Sequence, residues 1–205
     1  MMKRTAAGII LAGGQSKRMG CDKACLPLPG AEHMTFLQHL TEMLLSLCSE
    51  VVVVVRDTAQ FAETGVHQLP AVRMIADDIP NYGPLMGLHS GLRTITTSHA
   101  LVMAVDMPDV QPVVVSLLLT PPLSEAIRVP LVGDIPQVLL SVYPRSVLPL
   151  IAACLQAGRR DLRCLLRVAQ VEYIAETQLR ALDPALRSFV NVNRPHDLSL
   201  LHNPL

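Results

Sequence analysis

Short apolar runs alternate along this chain with stretches whose apolar positions recur at helical spacing. "AAGIILA" (6–12), "VVVVV" (51–55), "VRMIA" (72–76) and "HALVMAVD" (99–106) read as strands, and runs without polar alternation mark strands covered on both faces. Between the first two, "HMTFLQHLTEMLLSLCS" (33–49) sets Phe36, Leu37, Leu40, Met43, Leu44 and Leu47 on one helical face. Thr35 and Gln38 near its start have the spacing of a capping box. "PLMGLHSGLRTI" (84–95) predicts a helix with Pro84 in its first turn. Apolar strands alternating with helices predict an α/β fold of three layers around a mostly parallel sheet.

After Pro121 and Pro122 the pattern changes. "EAIRVPLV" (125–132) and "QVLLSVY" (137–143) are two strands with "GDIP" between them, which predicts a small hairpin-like β insertion. Helices are expected over 146–158 and 160–169, followed by a strand at "VEYIA". "FVNVNRPHDLSLLHN" is expected to close with a last strand and a short helix, with Asn193 or a nearby polar residue as its cap. Neither a repeat nor a linker interrupts the 205 residues, so the expectation is one domain over 1–205.

Composition removes several function classes. Lys and Arg together number 17, as do Asp and Glu, so no global field points to nucleic acid. Aromatic residues make up 3% and Trp is absent, which leaves no base-stacking platform. Five cysteines without a regular framework fit reduced thiols, and Cys21 with Cys25 lacks the second pair that a zinc site needs. No run approaches the roughly 18 apolar residues of a membrane helix, and the start lacks a cleavage-site pattern. A cytoplasmic protein is expected.

The informative residues sit where strands end, the place where open α/β sheets bind ligands. "LAGGQSKRMGCDK" (11–23) follows the first strand and combines glycines with cations. Consecutive backbone N–H groups at Gly13 and Gly14 can cradle phosphate oxygens, Arg18 can fork onto a phosphate, and Lys23 supplies a point charge. The loop matches neither the G-x-x-x-x-G-K-[ST] nor the G-x-G-x-x-G pattern. Asp106 ends the third long strand opposite this loop. A carboxylate there suits Mg2+, which is commonly held by one or two carboxylates plus substrate phosphates. A turn-capping role before Pro108 fits Asp109 better. In "ADDIPNYGPLMG", Asp77 can accept from N1–H and the amino group of guanine, or cap the following helix.

Together these residues resemble the molybdenum cofactor guanylyltransferases, the MobA-like nucleotidyltransferase family. "LAGGQSKRMGCDKACLPL" is similar to the family signature LAGGxSxRMGxDKxLLPL, "GPLMGL" to GPLAGL, "VDMP" to the central D-x-P, and "FVNVNRPHDL" to N-V-N-T-P-E-D-L. The resemblance covers nearly the whole chain and implies a Rossmann-like nucleotide-binding topology. It implies transfer of GMP from GTP to the molybdopterin cofactor with Mg2+, forming the guanine dinucleotide cofactor and pyrophosphate. By position, Leu11, Ala12 and Gly13 would contact the nucleotide, Lys23 its phosphates, Asp77 the guanine region and Asp106 the metal. Asn191 and Asn193 would face the pterin. Molybdopterin-handling proteins and a receiving molybdoenzyme are the implied protein partners, with no nucleic acid or membrane. The chain departs from the family at the valines of "VVVVVRD", where an asparagine is common, and at Arg194 and His196 in the closing motif. The competing readings are a cytidylyltransferase for the same cofactor, a nucleotidyltransferase for another small-molecule phosphate, and a non-catalytic nucleotide binder. The sister family reads A-A-G where this chain has Ala12, Gly13 and Gly14.

Overall fold

Period-two burial along five consecutive valines sets the architecture. The computed structural model describes residues 5–14 and 22–201. Strand β4 (Val51–Val55) is buried along its whole length. Val51, Val53 and Val55 face one apolar cluster, while Val52 and Val54 face another on the opposite side. The first cluster includes Leu37, Leu40 and Leu44 of α1 (Phe36–Leu47), with Val114 and Val115 of α3 (Pro112–Leu118). The second includes Leu85, Leu88 and Leu92 of α2 (Pro84–Thr94), with Ile151 of α4 (Leu148–Gln156). Burying an aliphatic side chain contributes about 1.5–3 kcal/mol, so a strand apolar on both faces is stable only between two helical layers. The three expected layers are present.

β4 lies between β1 (Ala7–Leu11) and β5 (Val72–Ala76), and β6 (His99–Ala104) flanks the other side of β1, all four parallel. A small separate hairpin joins β2 (Pro27–Leu28) to β3 (Ala31–Thr35). Further along come β7 (Ile127–Val132), β8 (Ile135–Pro136), β9 (Leu140–Pro144) and β10 (Val171–Ile174), then α5 (Glu176–Arg180). The sheet runs β10-β7-β9-β6-β1-β4-β5, with β8 paired to β7. β9 is antiparallel to both β6 and β7, and β10 is parallel to β7. The β pair expected after the two prolines is therefore stitched into the main sheet. Gly133 and Asp134, both at positive φ, make its turn.

Local signals held where they are self-contained. Thr35 and Gln38 form the capping box that starts α1, so residues 33–35 belong to β3 and not to the helix. The helix expected over 160–169 is a 3₁₀ segment, Leu162–Arg167, capped by Asp161. The closing strand does not form. Val190 and Val192 turn inward and Asn191 and Asn193 outward, but the segment has no ladder partner. Its backbone tie to the sheet, among the described residues, is Val192 N–H to the Asp106 carbonyl at 2.8 Å. Nor does the Asn193 side chain cap the turn beyond it. The Asp197 carboxylate does, accepting the N–H groups of Asn193 and Arg194 at 2.8 Å each. Among the described residues no helix is long and apolar enough to cross a membrane.

Close helix-to-sheet approach relies on missing side chains. A Cβ at Gly91 in α2 would stand 2.9 Å from Ile9 Cγ2 and 3.1 Å from Ile9 Cδ1 on β1. Gly91→Val is expected to cost about 1–3 kcal/mol, the range for overpacking a core. A fall in the denaturant midpoint at unchanged slope would report it. A midpoint equal to wild type would show that α2 can shift without loss.

Candidate active site

Parallel strands carry their carboxyl ends to one edge, and here β1, β4, β5 and β6 end on the same side of the sheet. The chain progresses from β1 to β4 and β5 in one direction, then returns to place β6 on the opposite side of β1. Such a reversal opens a crevice at the strand ends. A cleft of about 610 Å³ occupies it, and Leu11, Ala12, Gly13, Gly14, Lys23, Asp77, Asp106 and Asn193 are in its walls. Asn191 is exposed and is not among the lining residues. Residues 15–21, with Arg18 among them, lie outside the described residues.

One cation organises the floor. Lys23 begins a 3₁₀ turn whose cap is Asp22, accepting from the Ala24 N–H at 3.2 Å. The Arg56 guanidinium reaches Asp22 at 3.6 Å and holds this turn to the end of β4. The Lys23 ammonium then donates to Asp106 Oδ2 at 2.9 Å and to Asn193 Oδ1 at 2.7 Å. Three residues far apart in sequence meet at this one nitrogen. Asp109, three positions beyond Asp106, pairs instead with Arg187 at 2.6 Å, which fits a structural role.

The backbone facing them is bare. Among the described residues nothing stands within 4 Å of a Cβ placed on Gly14, which leaves its peptide open to an oxyanion on that side. Neither Gly13 nor Gly14 is among the described glycines at positive φ. Asp106, in the cleft wall, is a carboxylate that could hold a divalent metal. No group of three or more His, Cys, Asp or Glu that could hold a metal occurs among the described residues. A metal here would complete its shell with substrate phosphates and water, as Mg2+ commonly does.

The second wall comes from β5 and α2. Asp77 follows β5, and its N–H bonds the Val55 carbonyl at 2.8 Å. Burial lifts its carboxyl above the usual value, while the hydrogen bond from the Ser90 hydroxyl, at 2.9 Å, works against that rise. Gly83, at φ +100°, begins α2 and lies under the Arg160 carbonyl, where a Cβ would stand 2.8 Å from that oxygen. Ser90, Gly87 and Asn81 went unassigned in the sequence. Small residues at 87, 90 and 91 share one face of α2, and that spacing is the signal that marked a helix pressed against a site.

Comparison with known proteins agrees with this geometry. A Chloroflexus aggregans protein named "Probable molybdenum cofactor guanylyltransferase" is 36% identical over 198 residues, 95% of this chain and 92% of its own. The crystal structure of molybdopterin-guanine dinucleotide biosynthesis protein A from Archaeoglobus fulgidus superimposes with a TM-score of 0.77 at 28% identity, covering 95% of this chain and 96% of that one. A Mycobacterium tuberculosis protein crystallised with manganese shares the fold at a TM-score of 0.62 and 16% identity, covering 83% and 88%. Residues 8–174 match the profile of the MobA-like NTP transferase domain. The chain therefore belongs to the MobA-like NTP transferase family and is a nucleotidyltransferase.

Proposed function

We propose that this protein is a cytoplasmic single-domain enzyme that transfers GMP from GTP to the molybdopterin cofactor, with Mg2+ as its metal. The observation that carries the reading is Lys23 bridging Asp106 and Asn193 across a cleft that faces bare glycine backbone. The names of its relatives point to the same substrate pair. A phosphate oxygen of the pterin attacks the α-phosphorus of GTP. A new P–O bond forms, the bond to the β-phosphate oxygen breaks, and pyrophosphate leaves with its electron pair. The attacking oxygen is already anionic near neutral pH, so no general base is needed. What the protein must supply is alignment and charge stabilisation.

Asp106 would hold the metal, whose charge would offset that of the phosphates and polarise the α-phosphorus. Lys23, Arg18 and the N–H groups of Gly13 and Gly14 would take the charge of the departing pyrophosphate. Leu11, Ala12 and Asp77 would hold the guanosine, with Asn193 and Asn191 on the pterin side. Molybdopterin-handling proteins and a receiving molybdoenzyme are the proposed protein partners, upstream and downstream of the reaction.

The test is the purified protein with Mg2+, molybdenum-loaded molybdopterin and each of the four nucleoside triphosphates, with products identified by mass. GTP alone is expected to yield the dinucleotide cofactor, with one pyrophosphate per product. Equal use of CTP or ATP would overturn the reading, because neither base offers a carboxylate the adjacent pair of donors that guanine does.

A further inference from the structure

Two adjacent carboxylates follow β5, and their surroundings give them different work. Asp78 turns outward, with its Oδ2 at 3.1 Å from the Arg93 guanidinium and 3.4 Å from His89 Nδ1. Asp77 turns to the cleft. Its Oδ1 accepts the Ser90 hydroxyl at 2.9 Å, and its Oδ2 lies 3.9 Å from where a Cβ on Gly87 would stand. That same Cβ would be 3.2 Å from Leu11 Cδ2 and 3.8 Å from Val54 Cγ1. Gly87 lets α2 close onto Leu11 and Val54, and these three line the cleft beside Asp77, an apolar wall with a carboxylate at its edge.

Ser90 is 3% exposed and is held from two sides. Its oxygen accepts the Asp78 N–H at 3.1 Å, which fixes where its own hydrogen can point. Two acceptors are within reach, Asp77 Oδ1 at 2.9 Å and the Met86 carbonyl at 3.1 Å, and an ionised carboxylate is the stronger. The terminal torsion of an aspartate is otherwise broad. Meeting two donors on one planar base requires both carboxylate oxygens in the base plane. A locked torsion provides that alignment.

We infer that Ser90 is a positioning residue for base choice, pinning the Asp77 carboxylate at the edge of this apolar wall so that it meets N1–H and the 2-amino group of guanine together. This rests on the guanylyl reading and assigns its selectivity to a hydroxyl on α2 that no base touches. Asp77 faces Ser90 from α2, Asp78 from its own segment, and His89 from α2 at longer range.

The experiment measures binding of GTP, of inosine triphosphate (which lacks the 2-amino group), and of ATP and CTP by titration calorimetry. It compares wild type, Ser90→Ala and Ser90→Thr across pH. Alanine is the best helix former, so Ser90→Ala is expected to fold, and thermal unfolding checks this. A hydrogen bond to a charged group is worth roughly tenfold or more in affinity. The preference for GTP over inosine triphosphate should therefore shrink about tenfold in Ser90→Ala. Its acidic limb of GTP binding should also move to higher pH, because the bond that favours the ionised form is gone. Ser90→Thr should retain the wild-type preference. A Ser90→Ala protein with the wild-type preference, or with equal losses for both nucleotides, overturns the role of Ser90 alone. Wild type that binds ATP or CTP as tightly as GTP overturns the guanylyl reading and this inference with it.

Discussion

Asp106→Asn is expected to remove metal-dependent turnover while leaving the fold intact. The substitution keeps the shape of the side chain and deletes the charge that would hold the metal against the nucleotide phosphates. Loss of one preorganised electrostatic contact costs about 10²–10³ in kcat, and the metal's own contribution adds to that. Stability should barely change. The Lys23–Asp106 pair is partly exposed, and such pairs contribute about 0–1 kcal/mol. The link to the closing segment is made by the Asp106 carbonyl and survives the exchange. Turnover followed against Mg2+ concentration, alongside thermal unfolding, separates the two effects. Wild-type activity at low Mg2+ would remove Asp106 from the metal site.

Lys23→Ala should lower kcat/KM for GTP by about 10²–10³, since it removes an ammonium positioned against the central carboxylate. Its two partners, Asp106 and Asn193, would then lose their common donor. An Asp106 freed of a competing cation should bind Mn2+ in the absence of nucleotide at least as well as wild type, because like charges no longer compete for the carboxylate. Paramagnetic relaxation of water protons would read that affinity. The combined signature is poor turnover with undiminished metal binding. A loss of less than about tenfold in kcat/KM would place Lys23 outside the chemistry.

What the sequence revealed depended on whether the information was local. The Thr35–Gln38 box lies within one helical turn, so spacing alone located the start of α1. The valines of β4 are apolar on both faces, and no other arrangement buries all of them. Gly13, Asp77 and Asp106 follow strands closely, and a strand fixes the place of the residues just beyond it, whereas Lys23 is placed by the turn that Asp22 caps. The closing "FVNVN" kept the alternation of a strand, but its neighbours offer it one hydrogen bond where a ladder was expected. Tertiary context decided that segment. The β2–β3 hairpin was missed because its exposed face is polar, and its apolar side rests on Leu26, Phe36 and Val192 in a small cluster apart from the main core. Ser90 was hidden for another reason. A serine inside a helix ordinarily bonds back to its own turn, and Ser90 does reach Met86 in that way. Only the fold brings Asp77 to its other side.

The meeting of Lys23 and Asn193 also sets a clock. Their side chains touch across 170 positions of sequence. At about 5–20 residues per second, a ribosome needs on the order of ten to thirty seconds to travel that far. During that interval the lysine, the glycine loop and in time Asp106 are all made, yet the amide that completes the arrangement does not exist. The Lys23–Asp106–Asn193 cluster is thus completed only once Asn193 is made, and a chain cut short before it leaves Lys23 with Asp106 but without the amide.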